Sequence, residues 1–172
     1  MGHRLTTAIR IADSAKGILR KTRTFPPMEA AEDPDGLGAL ADMGVEPMLL
    51  ALSMELALKA WFVFDHDDDN VPRSHDLMKL FEGLKPESQR RLDHEFKRTV
   101  ALSHPNLFYF DFGIGHVLFQ HRNAFIDWRY IHEPKNTHFD RGAFEATLEL
   151  VLAEFGKRYV ILPATTVWQT TT

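Results

Sequence analysis

Residues 47–64, PMLLALSMELALKAWFVF, form a run whose only clearly polar members are Ser53, Glu55 and Lys59. A helix that is apolar all round must be covered all round, so this run dictates a central position in whatever the chain folds into. It reads poorly as a membrane span. Its length sits at the lower limit for crossing a bilayer, about 17 to 25 residues. Two charges near its middle would each cost roughly 2.5 to 3.5 kcal/mol on insertion scales. Pro47 suits a first helical turn, where its missing N–H is not needed.

The remaining periodicity is also helical. Leu5, Ile9, Ala12 and Leu19 predict a helix over about 4–22. Residues 23–46 carry Pro26, Pro27, Pro34, Gly36 and Gly38 and read as a loop or mobile arm with room for one short helix. The acidic run DHDDDN then leads through Val71-Pro72 to a short helix over about 74–84, with Ser74 as its N-cap. Pro86 opens a further helix to about residue 103, ended by His104-Pro105-Asn106. A long helix is predicted over 111–132. One stripe of it carries Ile114, Leu118, His121, Phe125, Trp128 and His132; a second carries Phe119, Ile126 and Tyr130 and is able to face another subunit. Asp140 caps a last helix on which Phe144, Leu148, Val151 and Phe155 recur, and Pro163 stops it. The predicted fold is all-α, an irregular up-and-down bundle of five or six helices in a single domain. Its parts are an N-terminal helix and Pro/Gly-rich arm over 1–44, a bundle over 45–162 and a loose tail over 163–172.

Charge bounds the partners. With Lys+Arg 20 against Asp+Glu 24 the net charge is −4, so no global field draws the chain onto nucleic acid or an acidic membrane. Any polyanion site must be local. The absence of cysteine excludes a disulfide framework, a thiolate nucleophile and Cys-ligated zinc. Together with a start, Met1-Gly2-His3-Arg4, unlike a signal peptide, it gives a cytoplasmic expectation with no cofactor.

Local placement is more informative. Glu55 and Lys59 stand at i, i+4 on the central helix, the order that favours an ion pair, and charges on so apolar a helix must be partnered. A functional alternative has Glu55 orienting a basic residue of the 111–132 helix. On that helix Arg122 and Arg129 share a face, while His116, Gln120, Asn123 and Asp127 form a polar ridge among aromatics. Lys85, Arg90, Arg91, Lys97 and Arg98 make the helix from 86 locally basic, and any RNA is expected between it and Arg122/Arg129. The segment DHDDDNVPRSHD puts Asp65, Asp67, Asp69 and Asp76 at positions 1, 3, 5 and 12 of an EF-hand-like loop. Asn70 stands where the turn glycine belongs and Asp76 is shorter than the usual bidentate Glu, so the expectation is a solvated acidic loop and no metal centre.

The segments SMELALKAWF (53–62), SHDLMKLFEGL (74–84) and HRNAFIDWRY (121–130) resemble successive helices of the HEPN superfamily of small all-α domains, over roughly residues 45–160. The resemblance implies a structural polar network of Glu55, Lys59, His75 and Asp76. In ribonuclease members an Arg-polar-x3-His motif, duplicated across a dimer cleft, cleaves RNA without metal, the His handling protons and the Arg steadying phosphate. Here Arg122-Asn123 are kept and Asp127 stands at the His position. An Asp of pKa about 4 is a poor proton shuttle at neutral pH. The implied function is therefore a non-catalytic or degenerate homodimeric module in stress or defence. It would bind a nucleotide, RNA or a protein partner from the same operon, with Arg129, Tyr130, His121 and His116 as further binding residues. The alternatives are an endoribonuclease using Arg122/Asn123 with His121 or His132 as a displaced histidine, and a structural helical scaffold.

Overall fold

In the computed structural model, which describes residues 3–25, 44–103, 112–130 and 138–159, the apolar run lies inside a helix from Val45 to His66. The helices in chain order are α1 (His3–Thr22), α2 (Val45–His66), α3 (Leu77–Glu82), α4 (Pro86–Arg98), α5 (Val100–Ser103), α6 (Ile114–Gln120), α7 (Ala124–Arg129) and α8 (Arg141–Gly156). The pairs α4/α5 and α6/α7 are each one predicted helix broken in two. Counting each pair once gives six helices and no strand among the described residues, an all-α bundle. The Pro/Gly-rich residues 26–43, His104, His132 and the tail beyond 159 lie outside the described residues.

Helix α2 is the axis of the bundle. It packs most extensively along α1 and is met on its other sides by α3, α7 and α8. Leu50, Met54, Leu58 and Trp61 are fully buried. The helix is long and apolar enough to cross a membrane, yet 56% of its most apolar stretch is buried within the protein.

Against it α1 turns a ridge of Ala8, Ala12, Ala15 and Leu19, all buried, while the expected core residues Leu5 and Ile9 flank that ridge half-buried. Small side chains let the two backbones approach, and the Ser53 hydroxyl donates to the Ala15 carbonyl at 2.8 Å. On the other side α8 buries Phe144, Leu148, Val151 and Phe155 as its spacing predicts. The Trp61 indole N–H donates to the Val151 carbonyl at 3.0 Å, and both Trp61 and Phe64 meet Phe155 edge-on with ring centroids 5.9 Å apart.

Three sequence expectations are corrected. The short third helix is capped by Asp76 and not by Ser74: Asp76 accepts from the Met78 and Lys79 N–H groups, whereas the Ser74 hydroxyl accepts from the N–H of Asp76 itself. The helix from Pro86 breaks at Thr99, whose hydroxyl donates to the Glu95 carbonyl at 2.7 Å and competes for a helical acceptor. The long helix expected over 111–132 is interrupted at residues 121–123. There the His121 ring donates to the Val117 carbonyl that its own backbone also uses, and the Arg122 carbonyl accepts from Leu77 N–H of α3 at 3.0 Å.

Gly113 precedes α6, where Asp93 of α4 accepts from the Ile114 N–H at 3.0 Å. A Cβ on Gly113 would lie 2.0 Å from that carboxylate oxygen, so only glycine admits the cap.

The close α1/α2 seam should not tolerate volume. Ala15→Leu is expected to lower unfolding free energy by about 1 to 3 kcal/mol through overpacking. Asp13→Leu, at an exposed position of the same helix, should change it by less than about 0.5 kcal/mol. Urea denaturation followed by circular dichroism reads both.

Candidate functional site

The chemistry-bearing residues of three segments converge where α2, the start of α3 and the α6/α7 break meet. Glu55 supplies the first part. Its side chain is only 4% exposed on an otherwise apolar helix. Lys59 Nζ lies 2.6 Å from Oε1, and His75 Nδ1 lies 2.8 Å from Oε2. The i, i+4 pair is thus present, and the second partner comes from the loop before α3. The basic residue that Glu55 orients is His75, not one from the α6/α7 segment as the alternative had it. That segment contributes Phe125, on which the His75 ring stacks with centroids 4.8 Å apart and planes 27° from parallel.

Asp76 supplies the second part. One carboxylate oxygen caps α3 and the other accepts from Arg122 Nε at 3.2 Å and Nη2 at 2.5 Å. Partial burial works to raise its pKa, but the Arg122 hydrogen bonds, the two backbone N–H groups and the guanidinium charge outweigh this and hold the carboxyl below its ordinary range. The same salt link raises Arg122. The Arg122 guanidinium lies over the Phe119 ring, 5.4 Å from its centroid, and its side chain remains 39% exposed.

The other expected site residues divide. Asn123 is exposed in the break, and its carbonyl accepts from the Ile126 and Asp127 N–H groups. Asp127 is half-buried on the first turn of α7. Arg129 lies over the Tyr130 ring at 5.5 Å, both residues exposed. His116 is elsewhere, packed on Phe112 in an open cleft of about 600 Å³ that is also lined by Phe81, Arg90, Asp93 and Lys97.

His121 is corrected outright as a binding residue. It is 3% exposed, its Nδ1–H donates to the Val117 carbonyl at 2.8 Å, and its Nε2 accepts from Asp140 N–H at 3.0 Å. Phe139 and Phe144 stand edge-on to the ring. Burial pushes its pKa below 6.5 despite the Val117 bond and nearby Asp140, so it is held neutral.

The acidic loop does not assemble a cation site. Asp65 points inward and accepts from Lys85 N–H at 3.0 Å and the Ser88 hydroxyl at 2.7 Å, fixing the start of α4. Asp67 closes α2 in a left-handed conformation, φ 49°, and pairs with Arg4 at 3.2 Å. Asp69 lies exposed in the following loop and Asp76 is committed to α3 and Arg122. The four carboxylates serve different partners, and no group of three or more metal-type side chains exists among the described residues.

No family model, curated protein or solved structure matches the chain.

Two outcomes follow from this geometry. Glu55→Ala strands Lys59 and frees the loop that carries His75, and should lower stability by about 1 to 3 kcal/mol; an unchanged denaturation midpoint would contradict the network. His121 binds fewer protons folded than unfolded between its lowered folded pKa and 6.5. Its stabilising contribution is therefore complete above 6.5 and is lost as pH falls through that window, with a slope of at most about 1.4 kcal/mol per pH unit. Urea midpoints at pH 7.5 and 5.5 should differ by more in the wild type than in His121→Gln.

Proposed function

We propose that the chain is a cytoplasmic, homodimeric HEPN-like module that binds single-stranded RNA over the α6/α7 break. The observation that carries this reading is the pairing of cations with exposed aromatic faces on both sides of the α6/α7 break. Arg122 lies over Phe119 and Arg129 over Tyr130, with Phe119 57% and Tyr130 39% exposed. Bases stack on such rings without sequence preference, and guanidinium groups beside them meet the phosphates. Asn123 adds an exposed amide in the break itself. Ile126 of α7 is 37% exposed, an apolar contribution that favours a second copy covering it.

The family's proton-transfer pair is degenerate in this reading. Arg122 is engaged by Asp76, and the position of the family histidine holds Asp127, a carboxylate on the first turn of α7. Binding, rather than cleavage through that pair, is the function these residues favour.

Fluorescence anisotropy with a labelled single-stranded oligoribonucleotide tests it. Binding should weaken as salt rises. Phe119→Ala should weaken it by about 5- to 100-fold, the loss of one stacked base, and Arg122→Ala should also weaken it. Sedimentation equilibrium should give a dimer. A wild-type protein that leaves the oligonucleotide anisotropy unchanged at every concentration would favour the structural scaffold instead.

A further inference from the structure

The open cleft of about 600 Å³ between α4, the end of α3 and the start of α6 has two unlike walls. One is polar and comes from a single face of α4. Gln89, Arg90, Asp93 and Lys97 follow spacings of three and four residues, so they stand in one stripe along that helix. The other wall is aromatic. It is built from Phe81 of α3, Phe112 and the His116 ring of α6, the last two packed with centroids 4.0 Å apart and planes 35° from parallel. Gly113 and Gly115 also line it and add no side chain to fill it.

The polar wall carries a surplus of one positive charge, Arg90 and Lys97 against Asp93. Asp93 is committed at both oxygens: Oδ1 accepts from Ile114 N–H at 3.0 Å and Oδ2 lies 3.1 Å from Lys97 Nζ. Gln89 is fixed as well, its amide donating to the Leu84 carbonyl at 2.8 Å and the Glu82 carbonyl at 3.0 Å. Arg90 is held only loosely. Its contact with Glu87 is 3.5 Å long and the two side chains are 74% and 70% exposed, a pair of the kind that contributes little in water. A carboxylate entering the cleft can replace that contact with two parallel bonds to the guanidinium fork.

We propose that this cleft binds a small planar aromatic monocarboxylate, with the carboxylate on Arg90 and the ring against Phe112 and His116. Lys97 adds positive charge at the same wall. The charge surplus matches a monoanion, and the Asp93 carboxylate in the middle of the stripe repels the second negative charge that a phosphate monoester would bring. The aromatic wall selects a flat apolar body, since rings pack favourably in offset or edge-to-face contact. The volume falls in the usual range for small-molecule pockets, about 300 to 1,000 Å³, and admits one or two fused rings. None of the lining residues belongs to the surface proposed for RNA, so this site stands independently of that reading.

Calorimetric titration of the full chain with 2-naphthoate, with its uncharged counterpart 2-naphthamide and with adenosine monophosphate tests the proposal, with backbone amide NMR signals followed in parallel. Expected are binding of 2-naphthoate, shifts at the amides of Gly113, Gly115 and His116, and affinities for the other two compounds weaker by about 10-fold or more. Arg90→Gln should weaken 2-naphthoate by about 10-fold, and Phe112→Ala should weaken it too. Arg98→Gln, at an exposed position of α4 outside the cleft, should leave its affinity within about two-fold. A wild-type protein that gives neither heat nor shifts with millimolar 2-naphthoate overturns the proposal. So does equal or tighter binding of 2-naphthamide or adenosine monophosphate, an Arg90→Gln protein that binds 2-naphthoate as well as the wild type, or shifts that spare the cleft.

Discussion

The buried carboxylate of Glu55 is the constraint on which the arrangement of three segments depends. Placed in the middle of the most apolar helix and nearly sealed from water, it is intolerable without partners, because desolvating an unpaired charge costs several kcal/mol. Lys59 satisfies one oxygen from within α2, and nothing else on that helix can reach the other. The second partner has to come from outside, and His75 supplies it. Once His75 is fixed, Asp76 is fixed beside it. The start of α3, the grip on Arg122 and the placement of the α6/α7 break then follow in turn. Apolar contacts around α2 give most of the driving force but are non-directional. The charge selects one register among the packings they would allow.

The excess of acidic residues has a related use. Asp65, Asp76, Asp93 and Asp140 each accept from backbone N–H groups at or beside the first turn of a helix, α4, α3, α6 and α8 respectively. Helix starts expose unpaired donors and the positive end of the peptide dipoles, so a carboxylate there is stabilised twice. Asp65 and Asp93 act from a different helix than the one they start, which makes these caps tertiary contacts as well as local ones. The run DHDDDN, whose spacing suggests a calcium loop, is read better in these terms: its first member looks inward to α4, and the last carboxylate of the pattern starts α3.

Legibility in the sequence follows the range of the interaction involved. The central helix, the start of α8 at Asp140 and the Glu55–Lys59 pair were readable because each depends on residues within one or two turns. The break after Gln120 was not, since its cause is partly a hydrogen bond from Leu77, far away in the chain, to the Arg122 carbonyl. On α1 the expected Ala12 and Leu19 are buried, but Ala8 and Ala15 take the places expected of Leu5 and Ile9 because a neighbouring backbone lies close, a property of the pair of helices and not of either alone. Among the site residues Arg122 stood out, but its partner Asp76 and the stacking of His75 on Phe125 are non-local and leave no spacing to read.

Histidine placement makes the same point chemically. In the sequence His121 and His132 are the candidates for a displaced histidine, and His121 adjoins the Arg122-Asn123 pair. In the fold His121 is closed to that role, because the apolar stripe that makes it conspicuous also carries it into the core, against Phe139 and Phe144. There desolvation keeps it neutral and the backbone occupies both nitrogens. His75 has no place in any apolar pattern, and for that reason stays half-exposed, its Nε2 without a hydrogen-bond partner among the described residues. A buried carboxylate orients it instead of burying it. Proximity in sequence to Arg122 is therefore a weak guide to where a ring ends up; a ring held at one nitrogen and half-exposed arises at the loop residue tied to the core by its buried partner.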